Sequence, residues 1–82
     1  MKSRLRELRE DSDLTQTEIA QIFNMSQTGY SKYETGENDI PISILVSAAL
    51  LFDTSIDYLV GLTDEKQPYE RSRRQQYERS HR

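Results

Sequence analysis

Cysteine and tryptophan are both missing from the chain. Without cysteine there is no disulfide, no thiolate metal site and no cysteine nucleophile, and a reducing, cytoplasmic setting is the expected one. Histidine occurs once, at His81, and glycine three times, at Gly29, Gly36 and Gly61. That leaves no histidine-based catalytic set, no glycine-rich phosphate loop and no cluster of metal-ligand type. The acids Asp11, Asp13, Asp53 and Asp57 fall at expected helix ends, where capping accounts for them. The chain is therefore not expected to be an enzyme, and no metal or cofactor is expected. No apolar run approaches the roughly 20 residues of a membrane span, so no membrane partner is expected. Met1-Lys2-Ser3-Arg4 leads straight into an amphipathic segment, which predicts no secretory leader.

What is present is charge, unevenly spread. The 82 residues carry a net charge of −3 and have room for one small domain and a tail. A core of that size is marginal unless its elements are short and well packed, or a partner helps. Residues 1–64 hold the bases Lys2, Arg4, Arg6, Arg9 and Lys32 against eleven acids, a balance of −6. Residues 65–82 hold Lys66, Arg71, Arg73, Arg74, Arg79 and Arg82 against three acids, a balance of +3. Two readings of this basic tail stand: it meets a polyanion or an acidic protein surface, or it is a disordered, solvating segment. YERS recurs at 69–72 and 77–80, so a helix stabilised by a partner is a third.

Along the chain the apolar spacing is helical throughout, with no alternation of period two. Leu5 and Leu8 mark a first amphipathic helix, ending near Asp11-Ser12-Asp13. Thr15 caps a second, with Glu18 at capping-box spacing, running through Ile19, Ala20, Ile22 and Phe23. Asn24-Met25 forms a bend, and Ser26 caps a third helix that stops at Thr35-Gly36. Pro41 suits the first turn of a fourth helix, over about Ile42 to Phe52. Ser55 to Val60 is a short fifth, closed by Gly61. The expected fold is all-α, five helices in residues 1–64.

The second and third helices carry the function. So short a connection forces them to cross closely, which needs a small residue inside, and Ala20 is there. The bend needs a residue tolerant of positive φ, and Asn24 is one. Tyr30 and Tyr33 are expected to face inward from the third helix. These demands describe a helix-turn-helix, whose second helix lays its N-terminal residues against base edges in the DNA major groove. The outward residues fit that task. Gln27 suits bidentate reading of adenine, Thr28 a base edge or a thymine methyl, and Lys32 a guanine edge or a phosphate. Gln16, at the start of the second helix, is placed to donate to a phosphate. Thr17, Ser31, Tyr33, Thr35 and Asn38 complete the expected phosphate or positioning contacts. For Gly29 two readings stand: close approach of the helix backbone to the duplex, or a position free to drift.

The stretch LRELREDSDLTQTEIAQIFNMSQTGYSKYETGENDIP, followed by SIDYLVGLT, resembles the XRE-type regulators, whose DNA-binding domain is similar to those of lambdoid phage repressor and Cro. The resemblance covers about residues 3–64 and implies a lambda-repressor-like domain acting as a transcriptional regulator, repressor-like, on double-stranded DNA. It also implies that Arg9 and Glu34 pair across the first and third helices, and that Gln16 braces Gln27. Asp13 and Asn24 stand where the family often has glycine. Gly29 replaces a side chain often turned to DNA, and the loop Glu37-Asn38-Asp39 is acidic where many relatives are basic.

Between Ile42 and Phe52 only Ser43 and Ser47 are polar. Leu45, Ala48, Ala49 and Phe52 suit the core. Ile42, Val46 and Leu50 then form a second stripe that something must cover. A second copy of the chain is the favoured cover, with Ile56 and Leu59 contributing, and paired half-sites suit such a two-fold dimer. The tail folding back with Tyr69 and Tyr77, or another protein, are the alternatives. The acidic balance also admits a rival function, an antitoxin-like or protein-interaction module built on a helix-turn-helix domain, with a second protein bound through the tail.

Overall fold

Three of the helices among the described residues start where a Ser or Thr hydroxyl offers a cap. The computed structural model describes residues 2–70, and these form α1 (Leu5–Asp11), α2 (Gln16–Ile22), α3 (Gln27–Thr35), α4 (Ile42–Leu51) and α5 (Ile56–Leu59). At α2 the Thr15 hydroxyl accepts from the Glu18 N–H at 3.1 Å, and the Glu18 carboxylate accepts from the Thr15 N–H at 2.9 Å. That reciprocal box satisfies two otherwise orphaned donors, and the bonds to Thr15 hold the Glu18 carboxyl below its ordinary ionisation range. Ser26 and Ser55 accept in the same way from the N–H groups of Gly29 (3.1 Å) and Tyr58 (3.0 Å). Pro41 stands one place earlier than expected, just before α4; its φ of −59° is the one its ring enforces.

Three connections turn through left-handed backbone at residues other than glycine: Asp13 (φ 57°), Asn24 (φ 56°) and Asp53 (φ 52°). Asn and Asp adopt this region at low cost because their short polar groups bond locally.

The core gathers Leu5 and Leu8 of α1, Ile19 and Ala20 of α2, Tyr30 of α3, Ile40 of the connection that follows, Leu45, Ala48 and Ala49 of α4, and Leu59 of α5. Ala20 is 1 % exposed, which is what lets α2 and α3 pack against each other more extensively than any other pair. Tyr30 is fully buried, with the Phe23 ring 6.2 Å away and Tyr33 edge-on at 6.4 Å. Tyr33 is only partly buried.

Leu59 requires a correction. It was expected at an interface between copies, but it is 0 % exposed. Its carbonyl accepts from the Arg4 N–H at 2.8 Å, which pins α5 against the start of α1. So short a helix has few apolar side chains to bury, and Leu59 goes inward.

Bonds to the five-helix domain continue past residue 64. The Arg4 guanidinium donates to the carbonyls of Tyr58 (2.8 Å) and Thr63 (2.6 Å) and to Asp64 (2.7 Å), and lies 4.1 Å from the centre of the Tyr58 ring. The buried Thr54 hydroxyl donates to the Lys66 carbonyl at 2.6 Å, and the Tyr69 hydroxyl to Asp57 at 2.6 Å. Residues 65–70 therefore dock on the domain as irregular chain, not as helix. Arg71, Arg73, Arg74, Tyr77, Arg79, His81 and Arg82 lie outside the described residues. Among those described, no helix is long and apolar enough to cross a membrane.

Candidate nucleic-acid interface

The N-terminal ends of α2 and α3 meet through side chains. Gln27, first in α3, donates its Nε2–H to Oε1 of Gln16, first in α2, at 2.6 Å. Gln16 Nε2 donates in turn to Glu34 Oε1 at 3.0 Å. Glu34 accepts two further bonds, from Arg9 Nε at 2.6 Å and Nη2 at 3.2 Å, and Arg9 Nη1 donates to the Leu14 carbonyl at 2.8 Å. The pairing of Arg9 with Glu34 and the bracing of Gln27 by Gln16 are thus both present. They form one continuous chain of bonds from α1 through α3 and α2 to the exposed Gln27.

The inner end of this chain is dry, with 11 % of the Arg9 side chain and 4 % of the Glu34 side chain exposed. Burial works against a charge on Glu34, but the bonds from Arg9 and Gln16 outweigh it, and the carboxyl stays ionised below the ordinary carboxylate range. The bond to Glu34 likewise holds the proton on Arg9. The Tyr30 hydroxyl is buried there without a hydrogen bond of good geometry. Burial, and then the Glu34 charge beside it, pushes its ionisation far above that of an ordinary phenol.

The other expected contacts are distributed as follows. Thr17, Thr28, Lys32, Thr35 and Asn38 are exposed, and Gln16, Ser31 and Tyr33 are half-buried. Thr35 is engaged locally: its hydroxyl lies 3.3 Å from both the Lys32 carbonyl and the Glu37 carboxylate, so an anion there would meet an acid. A Cβ on Gly29 would come within 3.1 Å of the Ser26 hydroxyl and 3.3 Å of Met25 Cε. A side chain here would therefore press on both by a few tenths of an ångström. Sequence reasoning missed the bond from Gln16 to Glu34. Its only sequence signal is that both residues are polar at the ends of crossing helices, and that says nothing about contact.

A helix-turn-helix family model matches residues 5–59. The chain belongs to the helix-turn-helix family. It is 38 % identical over 65 residues to the uncharacterized HTH-type transcriptional regulator YobD of Bacillus subtilis, covering 79 % of this chain and 58 % of that protein. It is 39 % identical over 69 residues to the cryptic phage CTXphi transcriptional repressor RstR of Vibrio cholerae, covering 82 % of this chain and 62 % of that one. The chain thus spans about three-fifths of the length of these relatives. No solved structure matches it significantly. In this helix-turn-helix domain the turn is Phe23 to Ser26, and the helix after it is α3, whose first residue is the braced Gln27.

Proposed function

We propose that the protein is a cytoplasmic, repressor-like transcriptional regulator that binds a specific double-stranded DNA sequence. The family match and both relatives' names support DNA-binding transcriptional regulation. In this reading α3 enters the major groove, and Gln27, Thr28 and Lys32 meet base edges. Gln16, Thr17, Ser31, Tyr33 and Asn38 face phosphates at the rim. Two copies related by a two-fold axis read an inverted repeat whose half-sites lie one helical turn, about 34 Å, apart. The observation that carries the reading is Gln27: an exposed amide at the head of α3, held by a partner on α2, with hydrogen-bonding groups left over for an adenine edge.

Selection from a random duplex pool should return a palindromic preferred sequence. On it Gln27→Ala should lose about 1–3 kcal/mol and flatten the preference at one base pair in each half-site. Lys32→Ala either does the same at another pair or weakens all sequences alike with a shallower salt dependence, the mark of a phosphate contact. Absence of any sequence preference would overturn the proposal. The acidic balance of residues 1–64 and the acids Glu37 and Asp39 beside α3 favour as second reading an antitoxin-like or protein-interaction module, recognised by a second protein that copurifies from the native host.

A further inference from the structure

The chain of bonds behind Gln27 has a direction, and one group sets it. A carboxylate only accepts hydrogen bonds, whereas a side-chain amide has an accepting and a donating end and can turn either toward a neighbour. Glu34 already takes two bonds from Arg9. Gln16 must therefore turn its NH2 toward Glu34, as it does at 3.0 Å. This presents Gln16 Oε1 to Gln27, and Gln27 must answer with its own NH2, at 2.6 Å. One N–H of Gln27 is thereby used, and Oε1 with the second N–H remains. That is the acceptor–donor pair complementary to the N6–H and N7 of adenine, in one orientation only. Turned over, the same amide would set donor against donor and acceptor against acceptor.

We propose that Glu34 is a positioning residue for base reading: its carboxylate, through Gln16, fixes which way round the Gln27 amide faces the DNA. The proposal rests on the reading above, that Gln27 meets a base edge. Glu34 is almost wholly buried and lies at the far side of Gln16, so it touches no base itself. Its pairing with Arg9 holds it ionised and in place, and Arg9 is in turn held by the Leu14 carbonyl. A preference at the protein surface is then decided by a charge in the interior.

The variant that isolates this is Glu34→Gln, nearly identical in shape. An amide at this place keeps its oxygen toward Arg9 Nε, the shorter of the two bonds, gives up the 3.2 Å bond from Arg9 Nη2, and turns its NH2 toward Gln16. Gln16 then turns over to accept, and Gln27 turns over in its wake. The test measures binding of wild type, Gln27→Ala and Glu34→Gln to the preferred duplex and to duplexes carrying each other base pair at each position. Circular dichroism confirms folding at the assay temperature. The expected result is that Gln27→Ala flattens one position. Glu34→Gln should lose the adenine preference at that same position, by roughly 5- to 150-fold, the range of one bidentate contact, and keep the profile elsewhere. If Gln27→Ala leaves the profile unchanged, the base-reading assignment fails and the proposal falls with it. If Gln27→Ala flattens one position but Glu34→Gln weakens every duplex alike, or none, the assignment stands and the proposal is overturned. Should Glu34→Gln not fold, Gln16→Met decides: it leaves the Arg9–Glu34 pair intact and cuts the chain. Broadened preference at the Gln27 position supports the proposal, and an unchanged profile overturns it.

Discussion

Tyr30 and Glu34 show how much a single buried residue contributes here and in which direction. The Tyr30 ring fills the centre of the core, yet its hydroxyl is desolvated without a well-formed hydrogen bond. Removing such a group costs little, because nothing well bonded is lost. Tyr30→Phe should therefore leave neutral stability unchanged or raise it by up to ~1 kcal/mol. The ionisation of Tyr30 is raised from its ordinary value near 10 by burial and by Glu34. The unfolded chain loses that proton first, so its contribution is intact below about pH 10 and declines as pH rises. Thermal melts at pH 7 and pH 11 should show Tyr30→Phe losing that share of the alkaline decline. A loss above ~2 kcal/mol at pH 7 would mean that the hydroxyl makes a net favourable contact with Glu34. Glu34 has the opposite sign. Its folded ionisation lies below the ordinary 4.5, so its contribution is present above that pH and disappears as pH falls through the folded value.

At the scale of elements, the segment after α5 is the part most easily misjudged. It has no periodic apolar pattern, but three of its residues take bonds that close the domain. Thr63 and Asp64 hold Arg4, and the Lys66 carbonyl satisfies the buried Thr54 hydroxyl. Truncation after Thr63 removes the last two of these and the Tyr69–Asp57 bond. It should lower stability by about 1–3 kcal/mol, chiefly by leaving Thr54 without its acceptor. Truncation after Glu70 keeps all of these bonds and serves as the reference. Only the second truncation tests the electrostatic role of the basic residues beyond it: base preference should persist while affinity and its salt dependence fall. Equal melting temperatures for the two truncations would show that the docked segment adds nothing to stability.

At the scale of the whole molecule, apolar surface remains. Ile42 is 70 %, Leu62 78 % and Leu51 39 % exposed, while Val46, Leu50 and Ile56 are partly covered within the single chain. Charge is therefore best placed at Ile42 to test for a two-fold contact, since at Leu50 it would also disturb the monomer. Ile42 opens α4, where a carboxylate is electrostatically welcome. Ile42→Glu should keep the melting temperature of the monomer fold, sediment as a monomer and bind a full palindrome little better than a half-site. A wild-type protein that sediments as a monomer at high concentration would dispose of the dimer.

The sequence alone determined what depends on near neighbours. Helix starts at Thr15, Ser26 and Ser55, left-handed turns at Asp13 and Asn24, the small residue at Ala20 and the core face of α4 were all legible, because capping, φ tolerance and periodicity act over a few residues. The Arg9–Glu34 pair and the Gln16–Gln27 brace were anticipated by resemblance to relatives. Tertiary structure decided the rest. Which way Leu59 turns depends on α1 lying under α5. The Thr63 carbonyl meets Arg4 across 59 residues of chain, and Glu34 meets Gln16 across 18. Bonds over such separations follow from how helices cross, and no local preference records where two distant polar side chains come together.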